Sequence, residues 1–203
     1  MQITGRGGHG ARPEDCIDPI VAGAHFITHV QSIVARNLKP THAGVITIGK
    51  FVSGDVSNVI PESAYLEGSI RALSADVREQ IFKRLREIAS GLERSFQVRC
   101  ELRISAGVPC LTNNPDVAKF LYDISGYILG TENVHYLDPI MGSEDFSYFT
   151  ESCPGAIMRF GCANAGKGLT YPLHSPYFDI DEGVLEIGVK IFTEAIQCYL
   201  NSK

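Results

Sequence analysis

Apolar residues recur along this chain with two different periods, and the switching between them lays out the elements. Met1–Thr4 is a short strand candidate that runs into a glycine-rich loop. Asp18 then offers an N-cap with Pro19 at the first helical position, and Ile20, Val21, Ala24, Ile27 and Val34 follow at helical spacing, which predicts a helix ending near Asn37. The β-branched stretches Ala43–Val52 and Ala64–Leu73 predict two strands joined by the loop Ser53–Pro61 and paired antiparallel. Ser74 caps a second helix, over 75–94, whose apolar stripe is Val77, Ile81, Leu85, Ile88 and Leu92. Val98, Cys100, Leu102 and Ile104 alternate with Arg99, Glu101, Arg103 and Ser105, the pattern of a strand in a sheet covered on one face. The order βαββαβ is that of a ferredoxin-like sandwich, with helices 18–36 and 75–94 on one face of a four-stranded antiparallel sheet.

Around Gly107–Asn113 the composition shifts to Gly, Pro and Asn, which places a domain boundary there. Beyond it, Asn114 as N-cap, Pro115 and Asp116 open a helix carrying Val117, Phe120, Leu121, Ile124 and Ile128, closed by Gly130. Val134–Leu137 reads as a weak strand, Met141–Ser147 as a loop entering a short helix with Ser143 as its cap, and Ala156–Gly161 as a stronger strand. A final helix carries Leu185, Gly188, Val189, Phe192, Ile196, Tyr199 and Leu200. Three helices and two short strands make a poor domain by themselves, and a strand apolar on both sides normally lies inside a sheet with both faces covered. The fold class expected is α/β, of the α+β kind, with domains at 1–108 and 109–203.

Composition narrows the function classes. A net charge of −5 over 203 residues, without a basic cluster, argues against nucleic acid. No apolar run approaches the ~20 residues of a membrane span, and Met1–Arg6 lacks the apolar core of a signal peptide, so the expected address is cytoplasmic with no membrane partner. Six cysteines without a CxxC pair are expected to be free thiols.

Among the candidate groups, Gly5–Pro13 is a loop in which glycines allow positive φ or close approach of the backbone, and it carries His9. His174 sits between Pro172 and Pro176, which restrict the backbone around it. A stiff loop suits a metal ligand, although one histidine makes no site and an ordinary loop histidine fits the local spacing equally. His25 and His29 stand four apart on a helix without the Glu of an HExxH motif, and read as a solvated face. Gly5–Gly8 lacks the GxxxxGK[ST] pattern of a phosphate loop.

Four motifs occur in order: Gly5–Pro13 (GRGGHGARP), Ser57–Pro61 (SNVIP), Met141–Ser147 (MGSEDFS) and Pro172–Pro176 (PLHSP). Together they resemble the M20 metallopeptidase/amidohydrolase family, closest to its branch of N-acyl-amino-acid amidohydrolases, which includes hippurate hydrolase and the auxin-conjugate hydrolases. The resemblance covers essentially the whole chain. It implies a ferredoxin-like lid or dimerisation domain followed by the C-terminal part of a zinc-peptidase-like α/β catalytic domain. It also implies a metal-dependent hydrolase acting on the amide bond of small N-acyl amino acids or peptides, with two divalent metal ions (Zn, Mn, Co or Ni) in the complete enzyme and a homodimer formed through the first domain.

Residue by residue, His174 matches the family's last metal ligand, and His9 matches the lid histidine that stabilises the oxyanion of the tetrahedral intermediate, in several relatives that of the partner subunit. Asn58 and Arg71 fall where the lid of relatives binds the substrate carboxylate, and a guanidinium with an amide donor suits a buried anion. Arg71 also reads as an exposed strand residue beside Glu67, and His9 as a loop histidine beside turn-forming glycines. The family's Cys-Gly-His-Asp motif and Glu-Glu pair, which supply most ligands and the general base, do not occur in this sequence. The resemblance is therefore to a C-terminal half, expected to bind metal weakly and to be inactive alone. The alternative is a non-catalytic dimerisation or interaction module.

Overall fold

The computed structural model describes residues 1–201. The chain divides into two compact units, Met1–Cys110 with Pro139–Glu144, and Leu111–Asp138 with the segment from Asp145 onward.

The first unit is a four-stranded antiparallel sheet with two helices. Its strands are β1 (Gln2–Thr4), β3 (Gly44–Ser53), β5 (Ser63–Ala72) and β6 (Arg99–Glu101), in the spatial order β3-β5-β1-β6. A two-residue ribbon, β2 (Gly8–His9) against β4 (Val59–Ile60), stands apart from it. Helix α1 (Pro19–Ser32) is capped by Asp18, whose carboxylate accepts the amides of Ile20 and Val21. Helix α2 (Ala75–Phe96) is capped by the Ser74 hydroxyl and ends at Gln97, which takes left-handed φ. Between them Ile33–Asn37 widens into a π-turn, with Leu38 N–H donating to Ile33 C=O at 3.2 Å.

One core joins these pieces. Phe26, Val30 and Ile33 from α1 and its extension meet Val77, Ile81, Leu85 and Leu92 from α2 over Ile3, Ile46, Ala64 and Leu66 of the sheet. Both helices therefore lie on the same sheet face. On the opposite face, Tyr65, Glu67, Arg71, Arg99 and Glu101 are exposed, with Lys50 and Tyr65 each reaching toward Glu67.

The expected last strand is shorter than its alternation suggests. Leu102 and Ile104 keep their inward side and pack on the core, but ladder pairing ends at Glu101, which stands opposite Gln2 of β1.

In the second unit α3 (Pro115–Leu129) packs on α5 (Gly183–Asn201), burying Ile124, Ile191 and Ala195 with Phe120, Leu121, Met158 and Phe160 around them. Asn114 caps α3 by accepting the amides of Asp116 and Val117. Helix α4 is short, Ser147–Ser152, and starts after Phe146 without a side-chain cap, so the expected role of Ser143 is not realised.

Neither Val134–Leu137 nor Ala156–Gly161 forms a strand. A strand needs a neighbour, and at Ile157 the side chain of Asn113 substitutes for one, accepting from the Ile157 N–H at 2.9 Å and donating to its C=O at 3.2 Å. Leu185, Val189, Phe192, Ile196 and Leu200 make an apolar stripe along α5 that is exposed.

Candidate functional site

The glycine-rich segment is a braced ribbon. None of Gly5, Gly7, Gly8 or Gly10 has positive φ; each is required by close approach. A Cβ on Gly5 would overlap the Ile17 carbonyl oxygen, and one on Gly7 would lie 2.8 Å from the Ile60 carbonyl oxygen. On Gly8 it would lie 2.6 Å from Cys16 Sγ, and on Gly10 2.9 Å from the Asn58 carbonyl oxygen. Real Cβ atoms do not come that close. The space is taken by main-chain bonds at 2.9 Å: Gly5 N–H to Glu62 C=O, Arg6 and Ile17 exchanging a pair, and Gly10 N–H to Asn58 C=O.

This bracing puts His9 beside the segment that carries Asn58. His9 pairs with Val59 in the ribbon, and Asn58 is the next residue back. The Ala11 N–H donates to His9 Nδ1 at 3.0 Å. A neutral imidazole whose Nδ1 accepts must carry its proton on Nε2, so the ring presents a donor on its outer side. Both His9 and Asn58 are exposed.

Arg71 lies elsewhere in the same unit. It stands opposite Val45 near the far end of β5, exposed, with its guanidinium donating to the Ile70 carbonyl at 3.1 Å. From Ser63, which follows the ribbon, it is eight residues on, or roughly 26 Å along the strand at about 3.3 Å per residue. The sheet thus brings His9 and Asn58 together and sets Arg71 apart.

His174, in the second unit, is the third residue of a turn closed by Ser175 N–H to Pro172 C=O at 3.1 Å. Its φ is 69°, in the left-handed region that non-glycine residues adopt at a cost of ~1–2 kcal/mol. A second turn follows at once, with Phe178 N–H donating to Ser175 C=O and Tyr177 N–H to Ser175 Oγ. Sequence reasoning found a stiff loop here but missed the strained backbone. The turn needs a left-handed third residue, and His stands where Gly or Asn is usual.

Among the described residues no three His, Cys, Asp or Glu side chains gather as a metal-binding group. The donors among the described residues therefore do not complete a two-metal centre by themselves. His25 and His29 have ring centroids 6.4 Å apart, and His25 packs on Phe96 at 4.8 Å, which makes it a helix-surface contact.

The strongest electrostatic arrangement lies before α5. Asp181 accepts from Lys167 Nζ at 2.8 Å, from Asn164 Nδ2 at 2.5 Å and from Gly183 N–H at 3.2 Å. These bonds, Lys167 foremost, lower its pKa to about 2. The result pins the loop after Cys162 to the start of the helix, reinforced by Asp181 N–H donating to Cys162 C=O.

The model of peptidase family M20/M25/M40 matches residues 8–197, the span from the His9 ribbon to the last turns of α5. The chain belongs to this family. Among curated M20 relatives, the N-acetyldiaminopimelate deacetylase of Streptococcus suis is 35% identical over 204 residues, covering 99% of this chain and 52% of that protein. The IAA-amino acid hydrolase ILR1-like 4 of Arabidopsis thaliana is 33% identical over 206 residues, covering 98% of this chain and 46% of that protein. The chain thus spans about half the length of the curated relatives it matches. A crystal structure from methicillin-resistant Staphylococcus aureus superposes with a TM-score of 0.88 at 33% identity, over 98% of this chain and 51% of the other. The Bacillus subtilis YXEP protein, described as a dinuclear metal binding peptidase from the M20 family, does so at 0.76 with 24% identity, over 100% and 50%, and supports the fold alone.

Proposed function

We propose that this M20 chain contributes to hydrolysis of the amide bond of a small N-acyl amino acid or peptide. Residues 1–108 act as a ferredoxin-like lid and dimerisation domain, and 109–203 as the C-terminal part of the catalytic domain. The strand order β3-β5-β1-β6, with both helices on one face, supports the lid reading. The observation that carries the functional reading is the His9–Asn58 ribbon. A histidine whose Nδ1 is engaged by Ala11 N–H offers Nε2–H outward, the donor an oxyanion requires, from a support too crowded to relax.

In this reading His9 stabilises the developing oxyanion, Asn58 and Arg71 hold the substrate carboxylate, and His174 serves as one metal ligand. The remaining ligands and the base come from sequence that this chain does not span, so the chain alone is inactive. The distance from the ribbon to Arg71 along β5 exceeds the length of a small N-acyl amino acid. That separation favours a site drawn from two copies, with His9 and Asn58 from one and Arg71 from the other, and hence a homodimer through the first unit.

The test joins this chain to the N-terminal half of the Streptococcus suis relative. Metal content and acetate release from N-acetyl amino acids are then measured, with the His9→Ala and His174→Ala variants alongside. The expected result is activity that falls 10²–10³-fold with His9→Ala at unchanged metal content, as for loss of one oxyanion donor, whereas His174→Ala loses metal as well. A joined protein that binds two metals yet keeps full activity with His9→Ala would refute the role of His9. One that binds no metal and hydrolyses nothing would leave the interaction-module reading standing.

A further inference from the structure

The two-residue ribbon gives His9 a fixed neighbour, Val59. His9 stands opposite Val59 and Gly8 opposite Ile60, and the next pair along is joined by Gly10 N–H donating to Asn58 C=O at 2.9 Å. In an antiparallel ladder bonded and non-bonded pairs alternate, so His9 and Val59 form the non-bonded pair between two bonded ones. That is the closer kind, with Cα atoms about 4.5 Å apart and both side chains on one face.

Val59 is 47% exposed, and His9 is exposed beside it. Gly8 and Gly10, on either side of His9, contribute no side chain to screen the pair. The pair is also held in place, because Gly7 lies against the carbonyl of Ile60 and Gly10 against that of Asn58, while Ala11 N–H engages the ring at Nδ1. A molecule whose oxygen accepts from His9 Nε2–H is thereby brought to the face that Val59 occupies.

Aliphatic surface selects what can lie there. A carboxylate against the valine would lose water and gain no partner, whereas an alkyl chain removes apolar area of both groups from water. In an N-acyl amino acid the acyl chain is bonded directly to the carbon that bears the oxygen. The amino-acid side chain begins beyond the amide nitrogen, next to the carboxylate.

We propose that Val59 is a specificity-determining residue of the His9 site, the wall against which the acyl chain packs, and that the substrates are N-acyl amino acids with an aliphatic acyl group longer than acetyl. This rests on the oxyanion role of His9 and adds the substrate class to it. Because both side chains belong to one ribbon, they reach the substrate together, whichever copy supplies the carboxylate contacts.

The test takes the joined protein of the preceding section and the N-acetyl, N-butanoyl and N-hexanoyl forms of one amino acid, with kcat/KM measured for each. Full burial of one methylene is worth about fourfold, so against a half-exposed valine butanoyl should exceed acetyl roughly five- to tenfold. Val59→Thr keeps the β-branched shape and exchanges a methyl for a hydroxyl, and should lower that ratio at least threefold, whereas Val59→Ile should hold or raise it. A parent that favours acetyl, or a Val59→Thr variant with the ratio unchanged, would overturn the proposal even where His9→Ala behaves as an oxyanion donor should. The 203-residue chain gives a second readout that needs no turnover. Its Val59 methyl resonances should shift saturably with the N-butanoyl acid and less with the N-acetyl form. Equal or absent shifts would overturn the proposal although the joined protein were inactive. A selective shift without hydrolysis would support the acyl contact and remove the catalytic role of His9.

Discussion

Replacing Gly5 by alanine tests whether the glycine-rich segment is flexible or crowded, because the two readings differ in sign. Gly5 does not have positive φ, so alanine costs nothing in backbone conformation and should stabilise by about 0.4–1 kcal/mol through the unfolded chain. Against this, its Cβ would overlap the Ile17 carbonyl oxygen, a main-chain atom that cannot rotate away. Relief requires parting Arg6 from Ile17, at the expense of their two bonds and of the Gly5–Glu62 bond, each 2.9 Å. At about 1 kcal/mol apiece the loss is ~3 kcal/mol and the net about 2 kcal/mol destabilising. For a chain of this size that lowers Tm by roughly 4–8 °C. Thermal unfolding followed by circular dichroism measures it, with Gly91→Ala as the control. Gly91 lies inside α2 with nothing within 4 Å of an added Cβ, so that change should raise stability by about 0.8–1 kcal/mol. A Gly5→Ala protein as stable as the parent, or more so, would refute the crowding argument.

Ile81→Ala, at the fully buried centre of the first core, should cost about 2–5 kcal/mol in chemical denaturation. Asp181 has a folded pKa lowered to about 2, so its contribution is present above the unfolded value near 3.9 and is lost as pH falls through about 2. Carboxyl NMR titration should find Asp181 among the last carboxylates to protonate, and Lys167→Ala should bring its midpoint up. Thiol labelling at pH 8 should modify exposed Cys153 first and Cys100 late, because burial, and then the charge of Glu93, push the Cys100 thiol up to about 11. Light scattering at tens of micromolar should report a dimer, and a strict monomer would remove the two-copy site.

What could be read from the sequence was what is decided locally. Asp18, Ser74 and Asn114 cap their helices as expected, since a cap is settled within three residues of itself. The strands of the first unit were legible where a partner exists. Val98–Ser105 alternates throughout yet is a strand only over Arg99–Glu101, the residues that stand opposite β1. Ala156–Gly161 has the apolar content of a buried strand and no neighbour to bond, a fact that no local pattern contains. At the site, the identity of His9 was legible. Its tautomer was not, since that follows from the Ala11 amide and a ribbon pairing residues fifty positions apart. The left-handed backbone of His174 was likewise invisible, because proline spacing limits neighbouring φ angles without setting the sign at the turn's third residue.

The bracing around His9 also bears on time. A side chain on a free glycine loop would sample its surroundings within nanoseconds to microseconds and could close like a flap. Here Gly5, Gly7 and Gly10 are wedged against main chain and Gly8 against Cys16 Sγ, so the imidazole has no hinge of its own and inherits the motion of the unit beneath it. Whatever carries Nε2–H toward or away from a bound molecule must then be a rotation of about a hundred residues, a process of microseconds to milliseconds. A turnover limited by such a rotation would respond to solvent viscosity and stay indifferent to glycine content near His9.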